Sequence, residues 1–165
     1  MKLIFYFYKM NQIQIRTANL EDLKMLLSFE QGIIKAERPF DETLKSGNIS
    51  YYDIRQMILD SEIEVAVAEI DNKIVGSGYA KIIKAKNYYD FEKYAYLGFM
   101  FTSDNFRGLG INVKIIDFLK NWCLTNDILE LRLDVYNDNV SAVKSYKKSG
   151  FKKDMVNMRI RLNKN

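Results

Sequence analysis

A chain of 165 residues, 48% apolar and with a single proline, is long enough for one domain with a sizeable core, and no apolar run in it is long enough to span a membrane. One cysteine and no histidine exclude an internal disulfide framework and argue against zinc or transition-metal chemistry and histidine-based triads. The net charge of +4 comes from lysines scattered among acids and not from a stripe, which suits a small anionic ligand better than a nucleic acid.

The opening residues 1–10 look at first like a signal peptide, but the apolar run covers only 3–8 and no small-residue cleavage site follows. Residues 1–12 are therefore read as an extra edge strand or an upstream extension ahead of a second start at Met10. The domain proper is expected over 13–165, in a soluble, cytoplasmic protein. Alternating apolar and polar residues at 13–17 suit a first strand. Thr17 or Asn19 caps the next helix, predicted to reach Ile34 with Leu20, Leu23, Leu26 and Leu27 as its buried stripe. Arg38 and Pro39 break it, a loop runs through Gly47, and 51–59 reads as a second helix.

Residues 64–70 and 73–83 are β-rich runs joined by Asp71-Asn72, a pair that accepts the positive φ of a tight turn, so they predict a hairpin. After a tyrosine-bearing loop, 93–102 is the next strand. It runs into Thr102-Ser-Asp-Asn-Phe-Arg-Gly-Leu-Gly-Ile-Asn112, where Gly108 and Gly110 let the backbone turn sharply and approach a ligand closely. The helix that follows, 111–125, leaves its first-turn N–H groups without intrahelical partners and adds the positive end of its dipole, so the turn suits a phosphate. Arg107 adds a full charge. Cys123 lies on this helix's apolar face and reads as a small core residue. Residues 128–136 form a run of β-formers with Asp134 and Tyr136 on one face, which implies a parallel crossover. Asn137 to Asn139 cap a last helix, Gly150 ends it, and 152–162 is expected to return as a strand.

Two segments about thirty residues apart carry a resemblance. Arg107, Gly110 and Asn112 fall in a pattern Arg/Gln-x-x-Gly-x-Gly/Ala, with Asn112 replacing the small last residue, and Asn139, Ala142, Tyr146, Gly150 and Phe151 fit Asn-x-x-Ala-x-x-x-Tyr-x-x-x-Gly-Phe. Together they resemble the GNAT superfamily of acyl-CoA-dependent N-acetyltransferases. The resemblance implies an α/β fold (α+β in its strand pairing): a GNAT-like mixed, mostly antiparallel sheet of six to seven strands with helices on both faces. It implies acetyl-CoA as co-substrate, no metal, and an amine-bearing small molecule or peptide as acceptor, attacked directly in a ternary complex. A homodimer stays open. Backbone groups of Met100, Phe101 and Thr102 are expected to pair with the pantetheine arm, and amides of Gly108, Leu109, Gly110, Ile111, Asn112 and Val113, beside Arg107, to hold the pyrophosphate.

By the same resemblance Tyr146 protonates or hydrogen-bonds the CoA sulfur, against the alternative of a core tyrosine on a helix. Asn139 is a cofactor-side residue, although capping its own helix explains it equally well. Glu37, Arg38 and Tyr51, with Asp41 and Tyr52, are substrate-side candidates, against the alternative of a solvated face with packing anchors. The base is not evident, because the strand before the glycine turn has no carboxylate between Glu92 and Asp104. Asp134 is the candidate if partial burial raises its pKa; otherwise it pairs with Arg132 or a backbone amide, or ordered water relays the proton. The missing strand carboxylate also leaves open a non-catalytic acyl-CoA-binding or regulatory module, and the basic pI leaves an RNA-binding or adaptor protein.

Overall fold

Runs of β-branched and small residues separated by tight turns place most of this chain in one sheet. The computed structural model describes residues 12–162, so the extension expected over 1–12 lies, apart from Gln12, outside the described residues. The strands are β1 (Gln14–Thr17), β2 (Ile63–Ile70), β3 (Lys73–Lys84), β4 (Lys93–Thr102) and β5 (Leu131–Arg132). They lie in the order β1-β2-β3-β4-β5, antiparallel except for the parallel pair β4 and β5. Asp71 and Asn72 take φ of 50° and 58°, the left-handed values their turn requires.

Four helices cover the two faces: α1 (Leu23–Glu37), α2 (Ile54–Leu59), α3 (Ile111–Thr125) and α4 (Val140–Lys148). Because side chains alternate along a strand, Val65 and Val67 of β2 face Leu26, Phe29, Ile33, Ile54 and Met57 of α1 and α2. Ala66, Ala68 and Ile70 face Ile111, Ile115, Leu119 and Cys123 of α3. The α3 axis comes close because Gly76 and Gly78 carry no Cβ: one at Gly78 would lie 2.8 Å from Ile115 and 2.6 Å from the Met100 sulfur.

Several boundaries differ from expectation, each for a local reason. A short 3-10 turn, Leu20–Asp22, precedes α1, capped by Asn19 and tied to the sheet by Arg16, which donates to both Asp22 oxygens at 2.7 and 2.9 Å and to Glu69 at 3.0 Å. That turn shifts the helical phase, so Leu20 and Leu27 are 41% and 45% exposed while Leu26, Phe29, Glu30, Ile33 and Ile34 form the buried stripe. The second helix starts at Ile54 instead of Tyr51, where the Asp53 carboxylate accepts from Gln56 N. Among the described residues the sheet has five strands, where six to seven were expected. Residues 152–162 pair with no strand and lie exposed, and the predicted 128–136 strand is laddered only at Leu131 and Arg132.

Candidate active site

The short β5 is what opens the site. Ala95 and Tyr96 pair with Leu131 and Arg132, but no β5 residue pairs with β4 beyond Tyr96, so residues 97–102 present a backbone edge to the gap between the two strands. A bulge lies at this point. Ser77 opposes Phe101 and Tyr79 opposes Gly98, which leaves Phe99 and Met100 facing the single residue Gly78. Phe99 takes φ +55°, a left-handed value that costs a bulky residue on the order of 1–3 kcal/mol. Two contacts hold it there: the Phe99 ring is buried, and its carbonyl accepts a 3.0 Å bond from the Ser77 hydroxyl.

The glycine turn follows directly. Gly108 and Gly110 have φ of 80° and 77°, and a Cβ added to either would meet nothing within 4 Å, so the turn faces open space. Leu109 and Ile111 are buried and anchor it, which leaves their backbone as the part available to a ligand. No side chain caps α3. A phosphate placed at this helix N-terminus would displace no side-chain cap, so the loop is chemically suited to one. Arg107 sits at its rim, 60% exposed and paired with Asp104 at 2.9 Å. Asn112 turns away from the loop: its side-chain N–H₂ donates to the Ser145 hydroxyl at 2.9 Å and ties α3 to α4.

That tie fixes Tyr146. Asn139 caps α4 by accepting from Ala142 N at 3.2 Å. At the other end Gly150, φ 93°, lets Phe151 N donate to the Tyr146 carbonyl, and the Phe151 ring packs edge-on to the Tyr146 ring at 6.1 Å. Burial, reinforced by the charge of Glu37, pushes the Tyr146 phenol up to about 12, so it keeps its proton at neutral pH.

Across the gap, Glu30 is buried in α1 and accepts from the Ser50 hydroxyl and from the N–H groups of Tyr51 and Tyr52 at 2.7 to 3.1 Å, which docks that loop on the helix. The Tyr51 hydroxyl is buried beside the Glu37 carboxyl and meets no partner at full hydrogen-bond geometry among the described residues. Burial pushes the Glu37 carboxyl up, with Asp41 adding to the rise. Asp41 accepts from Thr43, from Tyr136 at 3.1 Å and from Arg159 at 2.8 Å, and these donors hold it well below the usual carboxylate range. Tyr136, Asp41 and Arg159 come from segments far apart in the chain. An adjoining cavity of about 270 Å³ is lined by Tyr51, Tyr52, Met57, Ile63, Tyr79 and Lys81.

Glu37 and Tyr51 thus act on each other, although Glu37 does not line that cavity. Arg38 does not join them, because its guanidinium donates to the Lys45 and Gly47 carbonyls and closes the loop. Tyr52 is a packing anchor between Tyr79 and Phe99. Asp134 is exposed and accepts from the Tyr96 hydroxyl at 2.9 Å, whereas a partly buried carboxylate was expected. Arg132 is turned toward Glu130 and the rings of Tyr89, Phe91 and Tyr94. Sequence reasoning missed Glu30 and the Phe99 bulge. A Glu amid the apolar spacing of α1 was a legible sign of the first; Gly98, which makes room for the Tyr79 ring, was a faint sign of the second.

A model of the Acetyltransferase (GNAT) family matches residues 31–151. A streptothricin acetyltransferase of Escherichia coli is 38% identical over 50 residues, which are 30% of this chain and 29% of that protein, so the match spans under a third of the curated relative. Among solved structures, a predicted acetyltransferase of Clostridium acetobutylicum, determined with acetyl-CoA, is 21% identical with a TM-score of 0.66, covering 92% of this chain and 96% of the other. An aminoglycoside acetyltransferase from an uncultured soil metagenomic sample, in complex with trehalose, is 21% identical with a TM-score of 0.67, covering 93% and 98%.

Proposed function

Because the chain belongs to the Acetyltransferase (GNAT) family, we propose that it transfers an acetyl group from acetyl-CoA to a primary amine of a small molecule or peptide. The observation that carries this reading is the open β4 edge beside the glycine turn. An extended pantetheine arm adds to such an edge as a strand would, through the backbone of Met100, Phe101 and Thr102, while amides of the turn and of Ile111, Asn112 and Val113 hold the pyrophosphate. Asn139 caps α4 and so positions that helix at the cofactor side.

The thioester supplies an activated acyl group; the chain supplies position and protons. The amine lone pair forms the C–N bond, the C–S bond breaks, and the electron pair leaves on sulfur. Tyr146, protonated at neutral pH, gives that sulfur its proton. No covalent enzyme intermediate is needed, since the buried Cys123 thiol is pushed up to about 11 and sits in the core under α3.

The test is thiol release from acetyl-CoA with putrescine, L-lysine, an Ala-Lys dipeptide and kanamycin, alongside calorimetric titration with CoA. Turnover of at least one amine is expected. Tyr146→Phe then lowers kcat by roughly 10²-fold with CoA affinity unchanged. CoA binding without turnover on any amine would favour a non-catalytic acyl-CoA-binding module, consistent with the absence of a carboxylate on β4. Absence of CoA binding would overturn the glycine-turn reading itself.

A further inference from the structure

Acetyl transfer needs a neutral amine, yet an alkylamine in water at pH 7 is an ammonium ion. Some group must take its proton. Among the carboxylates around the gap, three are already committed. Glu30 is saturated by Ser50, Tyr51 and Tyr52, Asp41 by Thr43, Tyr136 and Arg159, and Asp134 is exposed on the Tyr96 hydroxyl. Glu37 differs from all of them. It ends α1 at the gap, is half-buried, and has no ion-pair partner among the described residues, since the adjacent Arg38 is turned to the Lys45 and Gly47 carbonyls. The segment that follows Glu37 is held against Tyr136, beyond β5, by the Phe40 ring stacked on the Tyr136 ring at 5.9 Å and by the Tyr136 hydroxyl donating to Asp41 at 3.1 Å, and the Glu37 charge acts on the buried Tyr51 hydroxyl and on the Tyr146 phenol. The other groups facing it are Asp41, Tyr52 and Tyr136.

We propose that Glu37 is the catalytic base: it binds the acceptor's alkylammonium between Tyr51 and Tyr146 and takes its proton. This rests on the acetyl-transfer reading above. Nitrogen loses two protons overall. The first goes to Glu37 and then to solvent; the second, released as the C–N bond forms, restores the proton that Tyr146 gives to sulfur. The burial that raises the Glu37 carboxyl makes it a better base, and the surrounding tyrosine rings suit a cation. The acceptor class that follows is a protonated alkylamine. An arylamine, neutral in water, gains nothing from Glu37.

The experiment is the pH dependence of kcat/KM for the fastest alkylamine of the panel, measured for wild type, Glu37→Gln and Glu37→Asp, with CoA affinity and thermal melts recorded in parallel. Glu37→Gln keeps the side chain's shape, and its melt reports whether the fold survives. The expected loss is roughly 10²-fold at neutral pH, shrinking by about tenfold per pH unit as the free-amine fraction rises. CoA affinity stays unchanged, and Glu37→Asp retains part of the activity. A loss that is equal at every pH would assign Glu37 a structural role and overturn the proposal while leaving the transferase reading intact. A wild type that acetylates no amine overturns both.

Discussion

At the scale of single residues the proposed site depends on two glutamates two turns apart on one face of α1. Glu30 points into the core, and a buried carboxylate is tolerated there only because three donors converge on it. Glu30→Ala leaves the Tyr51 and Tyr52 N–H groups without their acceptor, at about 1–3 kcal/mol for the first donor that water fails to reach. The expected result in urea unfolding is a lower midpoint with an unchanged slope, accompanied by a higher acceptor KM as the Tyr51 loop loosens. Glu37, two turns on, sits where the helix runs out at the gap. The same residue type thus has two outcomes, set by what converges on it. In the sequence both are Glu in an amphipathic helix, and the substrate-side reading of Glu37 came from the family resemblance, which places the region between the first two helices on the acceptor side.

At the scale of elements the proposed CoA surface is the strand, turn and helix formed by β4, the glycine turn and α3. Their local conformations are written in local residues: Gly108 and Gly110 at left-handed φ, and an α3 start without a side-chain cap. Gly110→Ala adds a methyl that meets nothing in the protein but is forced into φ 77°, so its stability cost is about 1–2 kcal/mol from backbone strain alone. The same methyl occupies space that a phosphate oxygen needs. Calorimetry with CoA is therefore expected to show a loss of affinity of at least tenfold; unchanged affinity would mean that the pyrophosphate lies elsewhere. The Phe99 bulge is the part of this unit that local sequence does not announce. A phenylalanine at φ +55° has no intrinsic preference for it, and only the Ser77 hydroxyl and the surrounding core hold it.

For the molecule as a whole, burial of carboxylates sets how stability responds to pH. Asp22 is held below its ordinary value chiefly by Arg16, so its contribution is present at neutral pH and lost as pH falls through the folded pKa. Glu64 behaves oppositely. Buried at the start of β2 with the Thr17 hydroxyl as partner, its folded pKa lies above the usual 4.5, so the fold favours the protonated form. Stability is then full below pH 4.5 and declines as pH rises through the folded pKa. Glu64→Gln is expected to be more stable than wild type at neutral pH and to lose that advantage below pH 4.5. Denaturant midpoints across this range check it, and a constant difference at all pH would refute it.

The α/β class, the hairpin at Asp71-Asn72, the glycine turn, the long helix after it and the caps of α4 were determined by the sequence alone. Each rests on neighbouring residues whose backbone preferences agree: positive φ at glycine and asparagine, apolar spacing, and an Asn or Gly at a helix end. Tertiary structure decided the rest. The phase of α1 follows from a short turn that Arg16 ties to both Asp22 and Glu69, and that phase turns Glu30 inward. β5 pairs with β4 at Ala95 and Tyr96 and stops short of the bulge at Phe99 and Met100, which leaves the gap. Glu37 acts on Tyr51, Tyr136 and Tyr146, which lie on three different segments. Contacts between residues so far apart in the chain leave no local pattern, because no residue's own preference encodes which distant partner will face it.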